Sequence, residues 1–364
     1  MSIIQAFKVE ARRTPVSLAQ KLAQRSFAGP LFSVTDTIGH IANQVGLSYR
    51  HFEIRRRANV LFGLQEVLRG RANYSQLFPS SRVSFVSMKH LVDAYDAFLV
   101  DLWGTVMFSK GVVSGAIETL NYMDQQGKRV LFISNTSDRF SQGIAEELKE
   151  VGLNVNDEQI ITSGMMLKSF LVKTGIKVKK AAFFGNPATR YYVDKAGLEP
   201  LPLFRSKDAS LIIVGYWGEE CIRKDLEELF QTIRLRDVPI LILNPDRFGP
   251  KTSRSFYIGT GSIGTLIGSF VKDLNLKREI YGLGKPFPYM YEYSFGLLSG
   301  IPKNKILTIG DSLPYDITGG NKVGIDSLLV LSGVHGMKHE RGKLQERMIN
   351  KGIFPTYVLP SIKV

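Results

Sequence analysis

The stretch Tyr95-Asp-Ala-Phe-Leu-Val-Asp101-Leu-Trp103-Gly-Thr-Val106 decides how this chain is read. Its apolar run, Ala97 to Val100, stops at an acidic residue and breaks into a glycine-containing turn. An apolar run bounded by turn residues is the pattern of a buried strand in a parallel sheet. Open α/β sheets carry their chemistry just beyond the carboxyl ends of such strands. Asp101 stands at that point.

Working outward, residues 116–126 have helical apolar spacing and end at Gly127. Residues 129–134 read as a second buried strand, ending in Ser134-Asn135-Thr136-Ser137, and residues 142–151 as a second helix before Gly152. A βαβα order predicts a parallel sheet. Farther on, residues 279–284 read as the third strand of this core and lead into Lys285-Pro286 and a helix over 289–298. Residues 305–310 read as the fourth strand, ending in Asp311-Ser312. Pro314-Tyr-Asp316 and a helix to about residue 322 follow. The fifth strand, 327–332, ends beside His335. Residues 166–276 are too many for a loop in a compact domain. They carry strand patterns at 180–185, 209–215 and 238–244, and helical patterns at 221–235 and 264–274, so they read as an inserted α/β unit.

The strand ends therefore offer Asp101, Ser134 and Asn135, Lys285, and Asp311 with Asp316. Paired carboxylates with a backbone carbonyl suit Mg²⁺, which prefers oxygen ligands. A lysine beside an aspartate keeps it ionised and nucleophilic. A hydroxyl and an amide can hold the oxygens of a transferring phosphoryl group. The set describes phosphoryl transfer through an aspartyl-phosphate. Taken singly, each residue has a plainer reading, and Asp316 reads equally well as a first-turn helix charge.

In these motifs the chain resembles the haloacid-dehalogenase (HAD) superfamily. Asp101-Leu-Trp-Gly-Thr-Val, Ser134-Asn-Thr-Ser, Gly284-Lys285-Pro and Gly310-Asp311-Ser-x-x-x-Asp316-Ile run in the family's order, and the likeness covers about residues 91–364. Gly185-Asn-Pro, Asn244-Pro-Asp and Gly259-Thr-Gly-Ser point to the subclass (IIA) of nitrophenyl-phosphate, phosphoglycolate and pyridoxal-phosphate phosphatases. The resemblance implies a Rossmann-like core, 91–165 and 277–364, with the insert 166–276 as a cap. It makes Asp101 the nucleophile and a Mg²⁺ ligand, with the Trp103 carbonyl and Asp311 as further ligands. Ser134 and Asn135 would bind phosphate, Lys285 would bridge Asp101 and phosphate, and Asp316 would orient this shell. In the cap, Asn186, Arg190, Tyr216, Trp217, Asp246 and Arg254 are candidates for substrate contact. Each also reads as an ordinary loop or packing residue. The implied reaction is hydrolysis of a phosphomonoester: a small molecule, an aryl phosphate or a phosphotyrosine. The chain departs from the family at one position. Trp103 stands where family phosphatases carry a general acid–base aspartate, and an indole does not titrate usefully. Acid–base help of that kind is typically worth ~10²–10⁴-fold in rate. Three expectations follow: a preference for good leaving groups, a proton from elsewhere such as His335 or a cap group, or turnover so slow that a phospho-Asp101 or a bound ligand is the stable product; the alternative function is a HAD fold with weak or lost hydrolysis acting as a binding module.

Composition bounds the rest. The chain has 364 residues and a net charge of +14. Residues 1–90 hold 13 Lys+Arg against 4 Asp+Glu, a net of +9, and the remainder 34 against 29, a net of +5. The first ninety residues read as a basic helical extension, with helical spacing near 16–24, 37–44 and 59–69. Residues 41–52, followed by Arg55-Arg56-Arg57, have the spacing of a helix-turn-helix. Nucleic acid, an anionic membrane or an acidic partner could take such a segment, and it could also serve targeting or export. The single cysteine, Cys221, excludes an intrachain disulfide, and no apolar run is long enough to span a membrane. These features lead us to expect a cytoplasmic protein. A cap of this kind also offers a surface for self-association.

Overall fold

The computed structural model describes residues 87–364, apart from residues 110, 217–222, 253–254, 334–343, 345–346 and 349. The helices and the helix-turn-helix spacing expected within residues 1–86, together with Trp217, Cys221, Arg254 and His335, lie outside the described residues. The chain divides into two compact units: Met1–Val86 with Lys338–Val358, and Ser87–Met337 with Leu359–Val364. The second unit contains every strand-end residue singled out above.

In chain order this unit begins with α1 (Met88–Ala94), β1 (Ala97–Val100), α2 (Ala116–Gln125), β2 (Arg129–Ser134), α3 (Ser141–Glu150), β3 (Ile160–Thr162) and α4 (Leu167–Thr174). It continues with β4 (Lys180–Phe184), α5 (Pro187–Lys195), β5 (Glu199–Pro202), β6 (Leu211–Val214), α6 (Arg223–Leu235) and β7 (Ile240–Ile242). Then come β8 (Phe248–Thr252), β9 (Ser255–Ile258), α7 (Thr260–Asp273), β10 (Ile280–Gly282) and α8 (Pro288–Leu297). The last described here are β11 (Ile306–Gly310), α9 (Thr318–Val323) and β12 (Asp326–Val330).

All four residues of β1 are buried. It forms parallel pairs with β2 on one side and β11 on the other, Leu99 lying opposite both Leu131 and Thr308. A strand covered on both faces and both edges must be apolar throughout, and burying Phe98, Leu99 and Val100 is worth about 1.5–3 kcal/mol each. The parallel strands of this first sheet run β12-β11-β1-β2-β3. The Leu331 N–H beyond β12 donates to the Leu359 carbonyl. The crossover helices show the apolar stripe that seats them. In α2, Ala116, Thr119, Leu120 and Met123 are buried at helical spacing, and Gly127, at φ +66°, turns the chain out of the helix.

The insert builds its own parallel sheet, in the order β10-β7-β6-β4-β5. A β8–β9 hairpin stands apart from it. One expectation needs correction here. Residues 279–284 were read as a strand of the core, but β10 pairs with β7 of the insert, Tyr281 lying opposite Leu241. The apolar pattern marks a strand, and nothing local in it names the sheet that receives it. The sequence spacing did not announce β3 and α4, nor α1, α5, β5 and the β8–β9 hairpin. Leu99 and Ile133 of the first sheet share one buried cluster with Phe170 of α4, Leu241 of β7 and Leu283.

Candidate active site

The site is assembled where β1, β2 and β11 end. The Asp101 N–H donates to the Ile309 carbonyl, which holds the residue in register at the end of its strand. Gly104, at φ +89°, then reverses the chain, and Thr105 returns its hydroxyl to Asp101 Oδ2 at 3.1 Å. After β11, Asp311 sits in a cradle of two glycines. A Cβ on Gly104 would lie 2.5 Å from Asp311 Oδ2, and one on Gly333 would lie 1.9 Å from it. Residues Leu313–Ile317 form a wide π-turn, with the Ile317 N–H donating to the Ser312 carbonyl. Such turns re-aim side chains at functional sites. This one brings Asp316 back so that its Oδ2 accepts the Ser312 N–H at 3.1 Å.

Lys285 closes the centre. Its ammonium lies 2.5 Å from Asp101 Oδ1 and 2.8 Å from Asp316 Oδ1, and it donates to the Ile133 carbonyl at 2.9 Å. All three charged side chains are buried, Lys285 and Asp316 almost completely. Burial works against the Lys285 ammonium, but the Asp101 and Asp316 carboxylates outweigh it and hold its pKa above the ordinary range. Burial lifts Asp101 to about 6, against the pull of Lys285 and with help from Asp316. The proton therefore stays on the lysine.

Asp101, Asp311 and Asp316 each bring a carboxylate oxygen within 4.8 Å of the others. One lysine against three buried carboxylates leaves an excess of negative charge among oxygen donors. A hard divalent cation fits that donor set.

The opposite wall is polar and satisfied. Asn135 accepts the Lys285 N–H at its Oδ1 (2.6 Å), and its Nδ2 donates to the Lys285 carbonyl (3.0 Å) and to Asp246 Oδ1 (2.7 Å). Ser163 holds this turn by donating to the Asn135 and Thr136 carbonyls. Gly284, at φ +90°, makes the approach possible, since a Cβ there would lie 2.4 Å from Asn135 Oδ1. Ser134 shares a 2.8 Å hydrogen bond with Thr136. Thr136 Oγ1 also accepts the indole N–H of Trp103 at 2.9 Å. The Arg139 guanidinium lies 5.1 Å from the centre of that indole and pairs with Glu147.

The structure thus brings together Asp101, Ser134, Asn135, Lys285, Asp311 and Asp316, and adds Asp246 from the insert. The other insert candidates are engaged differently. Asn186 caps α5 by accepting the Thr189 N–H, and its amide donates to the Asp138 carbonyl. Arg190 lies exposed on α5, paired with Asp194. The Tyr216 carbonyl accepts the Asn186 N–H. Thr105, Thr136, Arg139 and Ser163 went unnoticed in the sequence. Thr105 and Thr136 lie within the quoted motifs and could have been singled out; Ser163 and Arg139 become meaningful only in three dimensions.

Burial lifts the carboxyl of half-buried Asp246 to about 7, against the pull of Lys285 and the Asn135 amide, with Asp101 and Asp316 adding to the rise. Its main chain is fixed on both sides. The Tyr315 hydroxyl donates to the Pro245 carbonyl and accepts the Arg247 N–H. The Asp246 N–H donates to Asn244 Oδ1, and its carbonyl accepts the Gly261 N–H.

The chain is similar to known proteins. Residues 98–199 match a family described as haloacid dehalogenase-like hydrolase, and residues 282–363 match a HAD-hydrolase-like family. The chain is 28% identical over 272 residues to phosphoglycolate phosphatase 1A, chloroplastic, of Arabidopsis thaliana, covering 67% of this chain and 70% of that protein. It is similar to the crystal structure of a possible sugar phosphatase from Cytophaga hutchinsonii, with a TM-score of 0.67, 26% identity, and coverage of 77% of this chain and 98% of that one. It is also similar to a glycerol phosphate phosphatase of Mycobacterium tuberculosis solved in complex with magnesium, with a TM-score of 0.57, 26% identity, and coverage of 67% of this chain and 70% of that one.

Proposed function

We propose that this chain, a hydrolase that belongs to the haloacid-dehalogenase superfamily, is a Mg²⁺-dependent phosphatase of small phosphomonoesters that works through an aspartyl-phosphate at Asp101. The observation that carries the reading is the buried triad in which one ammonium, Lys285 Nζ, bridges Asp101 at 2.5 Å and Asp316 at 2.8 Å. A carboxylate paired with a fixed ammonium, at the end of a central strand, is a positioned nucleophile. In this mechanism Lys285 holds Asp101 and screens the incoming phosphoryl charge. The Ser134 hydroxyl and the Asn135 main-chain N–H receive the phosphoryl oxygens, and Thr105 and Asp316 keep Asp101 and Lys285 in place. Asp101, Asp311 and the Trp103 carbonyl would hold Mg²⁺, which when bound neutralises charge on the transferring group. The relatives named as phosphatases of phosphoglycolate and of sugar and glycerol phosphates support a small polar substrate. Trp103 adds a narrower element to the reading: an indole stands where the general acid–base aspartate is expected, so a phosphoester with a poor leaving group needs its proton from another residue.

The test is hydrolysis of p-nitrophenyl phosphate and of small alkyl phosphates with Mg²⁺, comparing wild type with Asp101→Asn. We expect the variant to lose all measurable turnover and the wild type to lose it in excess chelator. Equal rates in the two proteins would overturn the aspartyl-phosphate reading, and none in either would leave a HAD-fold binding module as the function. For the basic segment 1–90, with its net charge of +9, we propose docking on a polyanion. Binding to anionic vesicles and to duplex DNA across a salt series tests it, and binding unchanged by loss of the segment rules it out.

A further inference from the structure

Trp103 leaves the reacting centre without a titrating group two residues after Asp101. Its one polar hydrogen is committed to Thr136 Oγ1. A phosphoester with a poor leaving group still needs a proton on the departing oxygen. Among the described residues outside the buried triad and Asp311, Asp246, on the loop between β7 and β8, brings a carboxyl to this wall of the site. That loop is pinned to the core by Tyr315 on either side of Asp246. Asn135 occupies Asp246 Oδ1, so a proton on this carboxyl resides on Oδ2.

We infer that Asp246, supplied by the insert, is the general acid and base of the reaction in place of the residue that Trp103 displaces. The inference rests on the phosphatase reading above. A phosphoryl group held at Asn135 brings negative charge beside Asp246, and like charges close together cannot both stay ionised. Substrate binding therefore keeps Asp246 protonated, as an acid must be. An Asp101 oxygen attacks phosphorus, forming one O–P bond. The ester O–P bond breaks with its electron pair on the leaving oxygen, which takes the Asp246 proton and departs as the alcohol. The Asp246 carboxylate then removes a proton from water as the water oxygen attacks phosphorus. The Asp101–phosphorus bond breaks, its pair returns to the Asp101 carboxylate, phosphate leaves, and Asp246 is again protonated. Among the described residues, the charged and titratable groups facing Asp246 are Lys285, Asp101 and Asp316 from the triad, Tyr257 of β9, Tyr315, and Arg247 on its own loop.

The experiment measures kcat and KM against pH, with Mg²⁺, for an alkyl phosphate and for p-nitrophenyl phosphate, in wild type, Asp101→Asn, Asp246→Asn and Asp246→Ser. Either Asp246 variant should lower alkyl phosphate kcat by ~10²–10⁴-fold. The loss in p-nitrophenol release in the first turnover should be far smaller. Wild-type kcat/KM for the alkyl phosphate should fall as pH rises through about 7, and that fall should vanish in the variants. With p-nitrophenyl phosphate the variants should show a product burst, because water attack on the phospho-enzyme is slowed. Equal losses on both esters with no burst, or a change in KM alone with the alkaline fall retained, would make Asp246 a positioning residue for Asn135 and overturn the inference. Having two replacements guards against one that misfolds. A wild type that hydrolyses neither ester overturns the phosphatase reading itself, whereas an active wild type with unaffected Asp246 variants overturns only this inference.

Discussion

Trp103 illustrates how far a single residue can be read. Its position two residues after Asp101 was legible, and so was its inability to titrate. Its partner was not, because Thr136 lies on a different strand end and the 2.9 Å bond exists only once β1 and β2 pair. Trp103→Phe keeps a ring beneath Arg139 and removes that hydrogen bond. We expect about 1 kcal/mol lost in stability, with the alkyl-to-aryl rate ratio unchanged. Gly333→Ala tests the cradle, since its Cβ would lie 1.9 Å from Asp311 Oδ2. It should weaken Mg²⁺-dependent turnover at least tenfold while circular dichroism stays that of the wild type. Asp246 carries a stability signature as well. A carboxyl whose pKa is raised by folding binds its proton more tightly in the folded state, so its contribution to stability falls as pH rises from about 4 towards about 7. Asp246→Asn should therefore melt a few degrees above wild type near pH 8, and no higher near pH 4. An equal shift at both values would mean the effect is packing and not charge.

Elements were legible in proportion to their length and apolar contrast. β1, β2, β11 and the helix after each appear as continuous apolar runs or helical stripes with glycine stops. β3 is three residues long, too short for periodicity to register. The 279–284 segment was recognised as extended and assigned to the wrong sheet, because parallel order is fixed by crossover packing and not by the strand's own residues. Phe170 of α4 sits at this join. It is fully buried and meets the rings of Tyr281 and Tyr289 edge-on at 5.3 and 5.4 Å. Phe170→Ala should cost about 3–5 kcal/mol by urea unfolding. Because the cavity would open beside the strand that delivers Lys285, kcat should fall too. A stability loss with full kcat would show that Lys285 is held by the core alone.

At the scale of the molecule, the motif order along the chain foretold which strand ends would meet. It could not foretell which of the named insert candidates would join them. Asp246 reaches Asn135 across 111 residues of sequence. Among the described residues no helix is long and apolar enough to cross a membrane. Mg²⁺ at one hundred times its dissociation constant should stabilise the protein by about 2.7 kcal/mol, a shift of several degrees that Asp311→Asn should abolish. The placement of β10 also bears on how this protein can be re-engineered. The last residue of β10, Gly282, stands two residues from Gly284 and three from Lys285, and the Leu283 N–H is tied to the Ile242 carbonyl of the insert at 2.9 Å. A chimera that exchanges residues 166–276 for a relative's cap would carry away four strands of that sheet and strand the fifth on the recipient. Its orphaned edge would then tug on the ammonium that Asp101 needs. The seam for such a graft falls instead at Gly284, where the left-handed turn hands the chain from one sheet to the other, so that donor cap and recipient lysine meet across a joint the backbone already makes.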